Sequence, residues 1–167
     1  MGVARIRLKW PSLHLGASTA LGTSAQKASG VQNGTFQLLE LHARLFGPRF
    51  ELLAQAARGT LQDADSISVL NSTVVGSHAR GMSAQFALEL LGAKQKLWWF
   101  VRHSRYNLHV EVPMGYSADP ELDKSATTAG FNYLPLGYLV LKADYAVKRN
   151  ATGSEGGEFS LGAALSL

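Results

Sequence analysis

The residues that could hold a metal ion or act as a base are five histidines, at positions 14, 42, 78, 103 and 109, and there is no cysteine. No two of them have the His-x-x-x-His or His-x-x-Glu-His spacing that directs two imidazoles at one zinc ion. His103 and His109 have the same parity along a strand, but six residues of strand would separate them by about 20 Å. Serines and acids occur without a spacing that marks a nucleophile and its base. The sequence therefore predicts no metal site, no cofactor and no enzyme.

A second kind of chemistry comes from charged residues spaced two apart, such as Lys142 and Asp144. In a strand, residues two apart share a face, so both charges would face water while Leu141 and Tyr145 face the other way. The favoured interpretation is a charge pair that satisfies itself and keeps the surface hydrated. The alternative is that Lys142 and Arg102 form a basic ladder that guides anions.

Alternation of apolar and polar residues with a period of two is the main pattern of the chain and predicts β-strands. It is clearest near the end, where Phe159, Leu161 and Leu165 alternate with small or polar residues. Nine strands are predicted on this basis: Ala4–Trp10, Leu13–Leu21, Thr35–Phe46, Phe50–Thr60, Gly81–Leu91, Leu97–Val112, Thr127–Leu134, Leu139–Val147 and Glu158–Leu167.

Residues 36–62 also fit two amphipathic helices joined at Gly47-Pro48. The segment is rich in Leu, Ala, Gln, Glu and Arg, which have high helix propensity. The neighbouring strands and the spacing of the turns favour strands here as well.

Short and long connections alternate between these segments. The short ones are 11–12, 47–49, 92–96 and 134–137, and the long ones are roughly 23–34, 61–80, 113–126 and 148–157. Aromatic residues such as Trp10, Phe50, Trp99 and Tyr138 lie beside the short turns. Tight turns on one side, long loops on the other and an aromatic girdle are typical of an outer-membrane β-barrel. We therefore predict an all-β fold: an antiparallel up-and-down meander of about eight or nine transmembrane strands, in one domain over 1–167.

Nine strands would leave the first and the last strand parallel, and such a sheet cannot close into an all-antiparallel barrel. We therefore expect the chain to be part of a larger barrel. The first residues, MGVARIRLKWPSLHLG, have neither the apolar core nor the cleavage site of a signal peptide. The expectation is that a leader has been removed or that the chain starts inside a longer protein.

Composition excludes several other classes. Hydrophobic residues make up 46% of the chain, yet no apolar run approaches the ~20 residues of a membrane-spanning helix. The formal net charge is only +4, and no basic cluster with interleaved aromatics predicts binding to nucleic acid. A lipid bilayer is the expected partner, since each barrel strand needs only one apolar face.

The last 70 or so residues resemble a known family. They contain an aromatic-Val-Arg strand at Phe100 to Arg102, an Asp-Pro loop at Asp119, a Thr-x-Gly-x-Asn-Tyr-x-Pro hairpin from Thr128 to Pro135, and Lys-Ala-Asp-Tyr at Lys142 to Tyr145. In this order they resemble bacterial outer-membrane porins of the phosphate-selective-porin-like group. The resemblance implies a transmembrane barrel in the bacterial outer membrane. It also allows the full-length barrel to form a homo-oligomer.

The function predicted from these observations is passive diffusion of small hydrophilic solutes through a porin-type channel, with a weak preference for anions. The side chains predicted to line the pore share the polar parity of their strands: Arg44, Gln85, Glu89, Arg102, Asn132, Lys142 and Asp144. The alternative is a soluble β-protein whose apolar faces turn inward and bind an apolar ligand or a protein partner. A third hypothesis, a barrel enzyme that hydrolyses lipids, is supported by no specific motif.

Overall fold

The computed structural model describes residues 1–23, 34–92 and 95–165, apart from the side chain at 154. This part of the chain contains nine strands, one α-helix and one 3-10 turn. The strands are β1 (Gly2–Lys9), β2 (Leu13–Thr23), β3 (Thr35–Phe46), β4 (Phe50–Leu61), β5 (His78–Leu91), β6 (Lys96–Glu111), β7 (Asp123–Leu136), β8 (Leu139–Asn150) and β9 (Gly153–Leu165). The helix α1 is Ala64–Asn71, and the 3-10 turn is Pro120–Leu122.

All nine strands form one sheet in the order in which they occur along the chain, and every neighbouring pair is antiparallel. The predicted all-β meander is therefore confirmed. Within the described part, β1 and β9 are the two edges of the sheet, which does not close into a barrel. Residues 36–46 and 50–61 are strands β3 and β4, so the alternative interpretation of that region as two helices is wrong.

Pairing register places alternate residues of each strand on opposite faces. In β8 and β9, Leu141 is opposite Ala163 and Tyr145 is opposite Phe159 on one face, whereas Asp144 is opposite Ser160 on the other. The same division continues through every pair back to β1. The apolar face carries these residues among others: Ile6, Leu41, Ala54, Phe86, Val101, Leu141 and Leu161. The polar face carries these among others: Arg5, Glu40, Gln55, Ser83, Arg102, Thr128 and Asp144.

The connections agree with the predicted alternation except at the last hairpin. Tight turns join β1 to β2, β3 to β4 and β7 to β8, and at the first of these Trp10 N–H donates to Leu13 O at 2.8 Å. Long connections occupy 62–77 and 112–122. Most of the predicted loop at 23–34, part of the turn at 92–96, and residues 166–167 lie outside the described residues.

The prediction of a long loop at 148–157 is wrong, because β8 and β9 extend to Asn150 and Gly153. The Asn150 side-chain oxygen accepts hydrogen bonds from the backbone N–H groups of Thr152 and Gly153, both at 2.9 Å. A side chain that bonds backbone two residues on is an Asx turn, which closes this hairpin tightly.

The long connection between β4 and β5 contains α1, which the sequence did not predict. Ser68 is buried in this helix, and its hydroxyl donates to Ala64 O at 2.6 Å and accepts from Val75 N–H at 2.9 Å. Eight residues are too few for a helix to be stable alone, so the contacts of its buried face with the following loop hold it.

Exposure of the apolar face is the most unusual property of the fold. In the described part, the buried hydrophobic residues are Ala64 and Ala87, and no large side chain is fully buried. Ile6 is 69%, Phe159 65% and Leu161 74% exposed. The total accessible surface is 11159 Å², whereas a compact monomer of 17.9 kDa would expose roughly 8,000 Å². No described element covers the apolar face, so the sheet has no hydrophobic core of its own.

Candidate functional site

The polar face curls into a trough. A cavity of about 430 Å³ lies against side chains from six successive strands, from Gln55 on β4 to Ser160 on β9. Five strand spacings in a flat sheet would separate those two residues by about 24 Å. Because one cavity touches both, the sheet must be concave on its polar side. The residues lining this polar trough are Gln55, Ser83, Arg102, Ser104, Ala126, Thr128, Asp144, Ala146, Lys148, Glu158 and Ser160.

Register brings all seven predicted pore-lining residues to the polar face, and it groups three of them at the trough. Arg102 and Asp144 both line it, and Gln85 is directly opposite Arg102 across the β5–β6 pair. Lys142 precedes Asp144 by two residues and is directly opposite Asn132. Arg102 and Lys142 are exposed, so both positive charges are available to water and to dissolved ions.

Four predicted residues lie beyond the trough, towards the tight turns, and Lys142 and Asn132 are one cross-strand pair among them. Glu89 is buried at the end of β5, opposite Trp98. Arg44 lies on β3, where its guanidinium donates to the Glu51 carboxylate at 2.5 Å and stacks over the Phe46 ring at 5.1 Å. Asn132 lies beside Trp98 in the register and is only partly exposed.

The expected pairing of Lys142 with Asp144 does not occur among the ion pairs of the described residues. The trough contains a different pair, in which the Lys148 ammonium donates to the Glu158 carboxylate across β8 and β9. Gln55, Ser104 and Thr128 also line the trough but were not singled out from the sequence. The same period of two that marked Gln85 and Arg102 could have identified them.

A second polar cluster lies on the polar face between β2 and β3. The Ser18 hydroxyl donates to one Glu40 carboxylate oxygen at 2.9 Å, and the His42 ring lies 2.8 Å from the other. Gly16 is directly opposite His42, and a Cβ at position 16 would come within 2.3 Å of the imidazole. A glycine is therefore required for the histidine to lie flat against β2. Ser18, Glu40 and His42 thus form a closed hydrogen-bonded group on the polar face.

His109 ties the two long connections together. It is buried near the end of β6; its Nδ1 accepts from Asp119 N–H at 3.1 Å and its Nε2 lies 3.1 Å from Val74 O. An acceptor at Nδ1 and a carbonyl at Nε2 require the neutral tautomer that carries its proton on Nε2. The histidine therefore has a structural role, in which it joins residues 72–77 to the loop before β7.

Two acids near the starts of β7 and β9, Asp123 and Glu155, have pKa values below their ordinary ones. A bidentate hydrogen bond from Arg105 lowers the pKa of the Asp123 carboxyl below its ordinary value, and the charges of Arg105 and Arg80 act in the same direction. At the tip of the last hairpin, a hydrogen bond from Lys124 lowers the pKa of the Glu155 carboxyl. Asp123 thereby links β6 to β7, and Glu155 links β7 to β9.

Metal-ligating residues are dispersed. Among the described residues, no three histidine or acidic side chains come together in a group that could hold a metal ion. In the same part of the chain, no helix is both long and apolar enough to cross a membrane.

No protein-family model, no curated protein and no solved structure matches this chain.

Proposed function

We propose that this chain forms a wall of a β-barrel channel in the bacterial outer membrane, through which small hydrophilic solutes diffuse with a weak preference for anions. The observation that carries the proposal is the sidedness of the curved sheet: its uncovered face is apolar and its concave face is polar. Transmembrane barrels have this arrangement, because lipid surrounds the outside and water fills the lumen.

The apolar face supports contact with lipid. Full burial of a leucine or phenylalanine side chain supplies roughly 1.5–3 kcal/mol relative to full exposure, so each partly exposed side chain in water forgoes a part of that free energy. Exposed residues of this type occur on strands from both halves of the sheet, including Leu8, Leu41, Leu52, Leu141 and Leu161. A bilayer would bury all of them at once, without a second layer of protein.

The connections and aromatic residues support an orientation. Trp99, Phe131 and Tyr133 lie on the apolar face towards the tight turns, as an interfacial girdle would. The long connections 62–77 and 112–122 are at the other end. In outer-membrane barrels the short turns face the periplasm and the longer loops face outwards.

Charges in the trough and next to it support a weak preference for anions. Lys148 and Glu158 neutralise each other, whereas Arg102 and Lys142 remain exposed beside the single acid Asp144. Rings or ladders of fixed charge set the selectivity of a water-filled pore. Closure of the barrel would require further antiparallel strands, from this polypeptide or from another, because β1 and β9 run in the same direction.

The test is purification followed by single-channel recording. We expect the protein to fractionate with membranes, to need detergent throughout purification, and to give stepwise conductance in planar bilayers. A protein that stays monomeric and folded in buffer without detergent would instead favour the soluble β-protein that binds an apolar ligand or partner. Membrane insertion without conductance would leave the lipid contact standing and exclude the channel.

A further inference from the structure

Four arginines form a row on the apolar face, at the end of the sheet near the long connections. Arg58 on β4 is directly opposite Arg80 on β5, and Arg80 is opposite Asn107 on β6. Arg105, two residues before Asn107, is opposite Ser125, which is in turn opposite Arg149 on β8. All four arginine side chains are exposed. We call Arg58, Arg80, Arg105 and Arg149 the arginine row.

The row has an excess of positive charge. Asp123 lies beside it and receives hydrogen bonds at 3.0 and 2.7 Å from Nε and Nη2 of Arg105. Glu111, closer to the loops, lies 3.1 Å from the His78 ring; even with the negative charges of Glu111 and Asp123 counted, the four arginines leave a positive excess. In the described part of the chain, Arg58, Arg80 and Arg149 have no ion-pair partner. Like charges that face each other across a strand pair are unfavourable, so this arrangement calls for an anion.

A groove begins at the row and continues down the apolar face. Its upper part, about 310 Å³, lies between Arg80 and Arg105, with Ala56 and Met82 in its floor. The lower part, about 480 Å³, contains the same Ala56 and Met82 and continues over Ala54 and Ala84. The small alanine side chains leave a channel between larger neighbours. The groove is thus cationic at one end and mostly apolar along the rest, where His103 also lines it.

We propose that this groove binds a membrane lipid with a phosphate headgroup: the phosphate lies against Arg80 and Arg105, and an acyl chain lies over the alanines. Guanidinium groups bind phosphate oxygens through paired, charge-assisted hydrogen bonds. Arg105 keeps donors free for this, since only Nε and Nη2 are engaged by Asp123. The inference rests on the proposed function, in which the apolar face contacts the bilayer.

Two observations favour a lipid over other occupants. Free phosphate would use only the cationic end and leave the apolar channel to water. A second copy of this chain would bring an identical arginine row, and the two rows would repel each other. A phospholipid or phosphorylated glycolipid matches both ends of the groove, and it is present wherever the apolar face is inserted.

The binding test uses the full chain in neutral alkyl-maltoside micelles. Lysophosphatidic acid with a 16-carbon chain, lysophosphatidylcholine of the same chain length, and inorganic phosphate are titrated in turn by calorimetry. We expect the first to bind most tightly. Arg80→Gln combined with Arg105→Gln should weaken its binding at least about tenfold, because charge-assisted hydrogen bonds are lost. Ala54→Phe with Ala84→Phe should weaken it similarly by filling the channel.

The matched control is Arg5→Gln with Arg7→Gln, which removes the same charge from the polar face of β1 and should leave binding unchanged. Arg80→Gln alone leaves the Arg105–Asp123 pair intact and should also weaken binding. It replaces the double variant in the test if the double variant fails to fold. Equal binding of the two lysolipids, or retention of binding in both arginine variants, would overturn the proposal. Tight binding of inorganic phosphate that the phenylalanines do not affect would identify an anion site instead.

Membrane insertion and lipid selectivity, measured separately, distinguish the lipid-binding groove from the membrane wall. A protein that inserts into neutral vesicles but shows no selectivity for lysophosphatidic acid refutes the groove and leaves the membrane wall intact. A protein that never inserts refutes both. Dimers in micelles that dissociate when Arg80 and Arg105 are replaced would assign the groove to contact between copies, and that result also overturns lipid binding.

Discussion

At the scale of the residue, Arg102 and Lys142 are the fixed charges with the most direct access to the proposed lumen. Neither has an ion-pair partner among the described residues, so their replacement should disturb packing little. We expect Arg102→Gln with Lys142→Gln to leave folding intact and to shift the reversal potential towards cations in planar bilayers under a salt gradient.

The control for that prediction is Lys148→Gln, which removes a lysine already neutralised by Glu158. This variant also leaves the Glu158 carboxylate without its partner. Any shift of the reversal potential should therefore be towards cations and smaller than the shift caused by the double variant. A double variant that is strongly destabilised yet unaltered in selectivity would make Arg102 and Lys142 structural residues and contradict the channel.

Leu141 and Lys142 are adjacent on β8, and their side chains lie on opposite faces of the sheet. Substitutions at these two positions therefore compare the environments of the two faces at one depth. Leu141 is 41% exposed on the apolar face, opposite Ala163 and Tyr133. A charge there would be placed in lipid, and Leu141→Arg should lower the free energy of unfolding in vesicles by roughly 2–4 kcal/mol. Lys142→Arg, which keeps the charge on the polar face, should change it little. Equal stability of the two variants would place Leu141 outside the bilayer.

At the scale of the element, close approach of β7 and β8 depends on Gly130. A Cβ at this position would lie 2.5 Å from both Ala143 O and Asp144 Cβ, so Gly130→Ala must push the two strands apart. Overpacking of this kind costs about 1–3 kcal/mol. Gly162→Ala is the control, because nothing lies within 4 Å of a Cβ there. Denaturant titration that found the two substitutions equivalent would show that β7 and β8 pack more loosely than the register indicates.

The elements also show what a single sequence can and cannot predict. The period of two predicted the strands and their facing over most of the chain, whereas β3 and β4 were favoured as strands by the neighbouring strands and the turn spacing, because Phe36 and Leu38 lie on the polar face of β3. The extension of β8 and β9 to Asn150 and Gly153 was missed, since both faces of that hairpin are polar and no longer alternate in hydrophobicity. Helix α1 was missed because eight residues carry too weak a periodic signal, and its buried Ser68 resembles a loop residue.

Within the candidate site, the odd or even position of each residue in its strand predicted which face of the sheet it lies on. It did not predict which residues of the adjacent strands lie beside it. The pairing register, which brings Gln85 opposite Arg102 and Asn132 opposite Lys142, depends on contacts between strands. Curvature is likewise a collective property, so the single trough shared by Gln55 and Ser160 could not be derived from the residues of either strand. The arginine row escaped prediction for the same reason, since its members lie on four different strands.

At the scale of the whole molecule, Trp98 and Trp99 report on both sides of the sheet. Trp98 is opposite Glu89 and Asn132 on the polar face, whereas Trp99 is opposite Leu88 and Phe131 on the apolar face. Trp99 also packs edge-on against Phe86, with ring centroids 6.4 Å apart. Because these two residues are adjacent in β6, any difference between their surroundings must come from the sidedness of the sheet and not from depth along the strand.

In vesicles that contain brominated phospholipid, a variant with only Trp99 (Trp10→Phe, Trp98→Phe) should therefore be quenched strongly by the lipid. A variant with only Trp98 (Trp10→Phe, Trp99→Phe) should respond weakly to brominated lipid and more strongly to aqueous acrylamide. The contrast follows from lipid on the apolar face and water in the trough, the arrangement of a barrel wall. Equal quenching of both by lipid would mean that the polar face also lies against lipid, and it would contradict a barrel wall with water on one side. Quenching of neither, with both reached by acrylamide, would mean that the sheet does not insert, and a covering partner would then have to bury the apolar face instead.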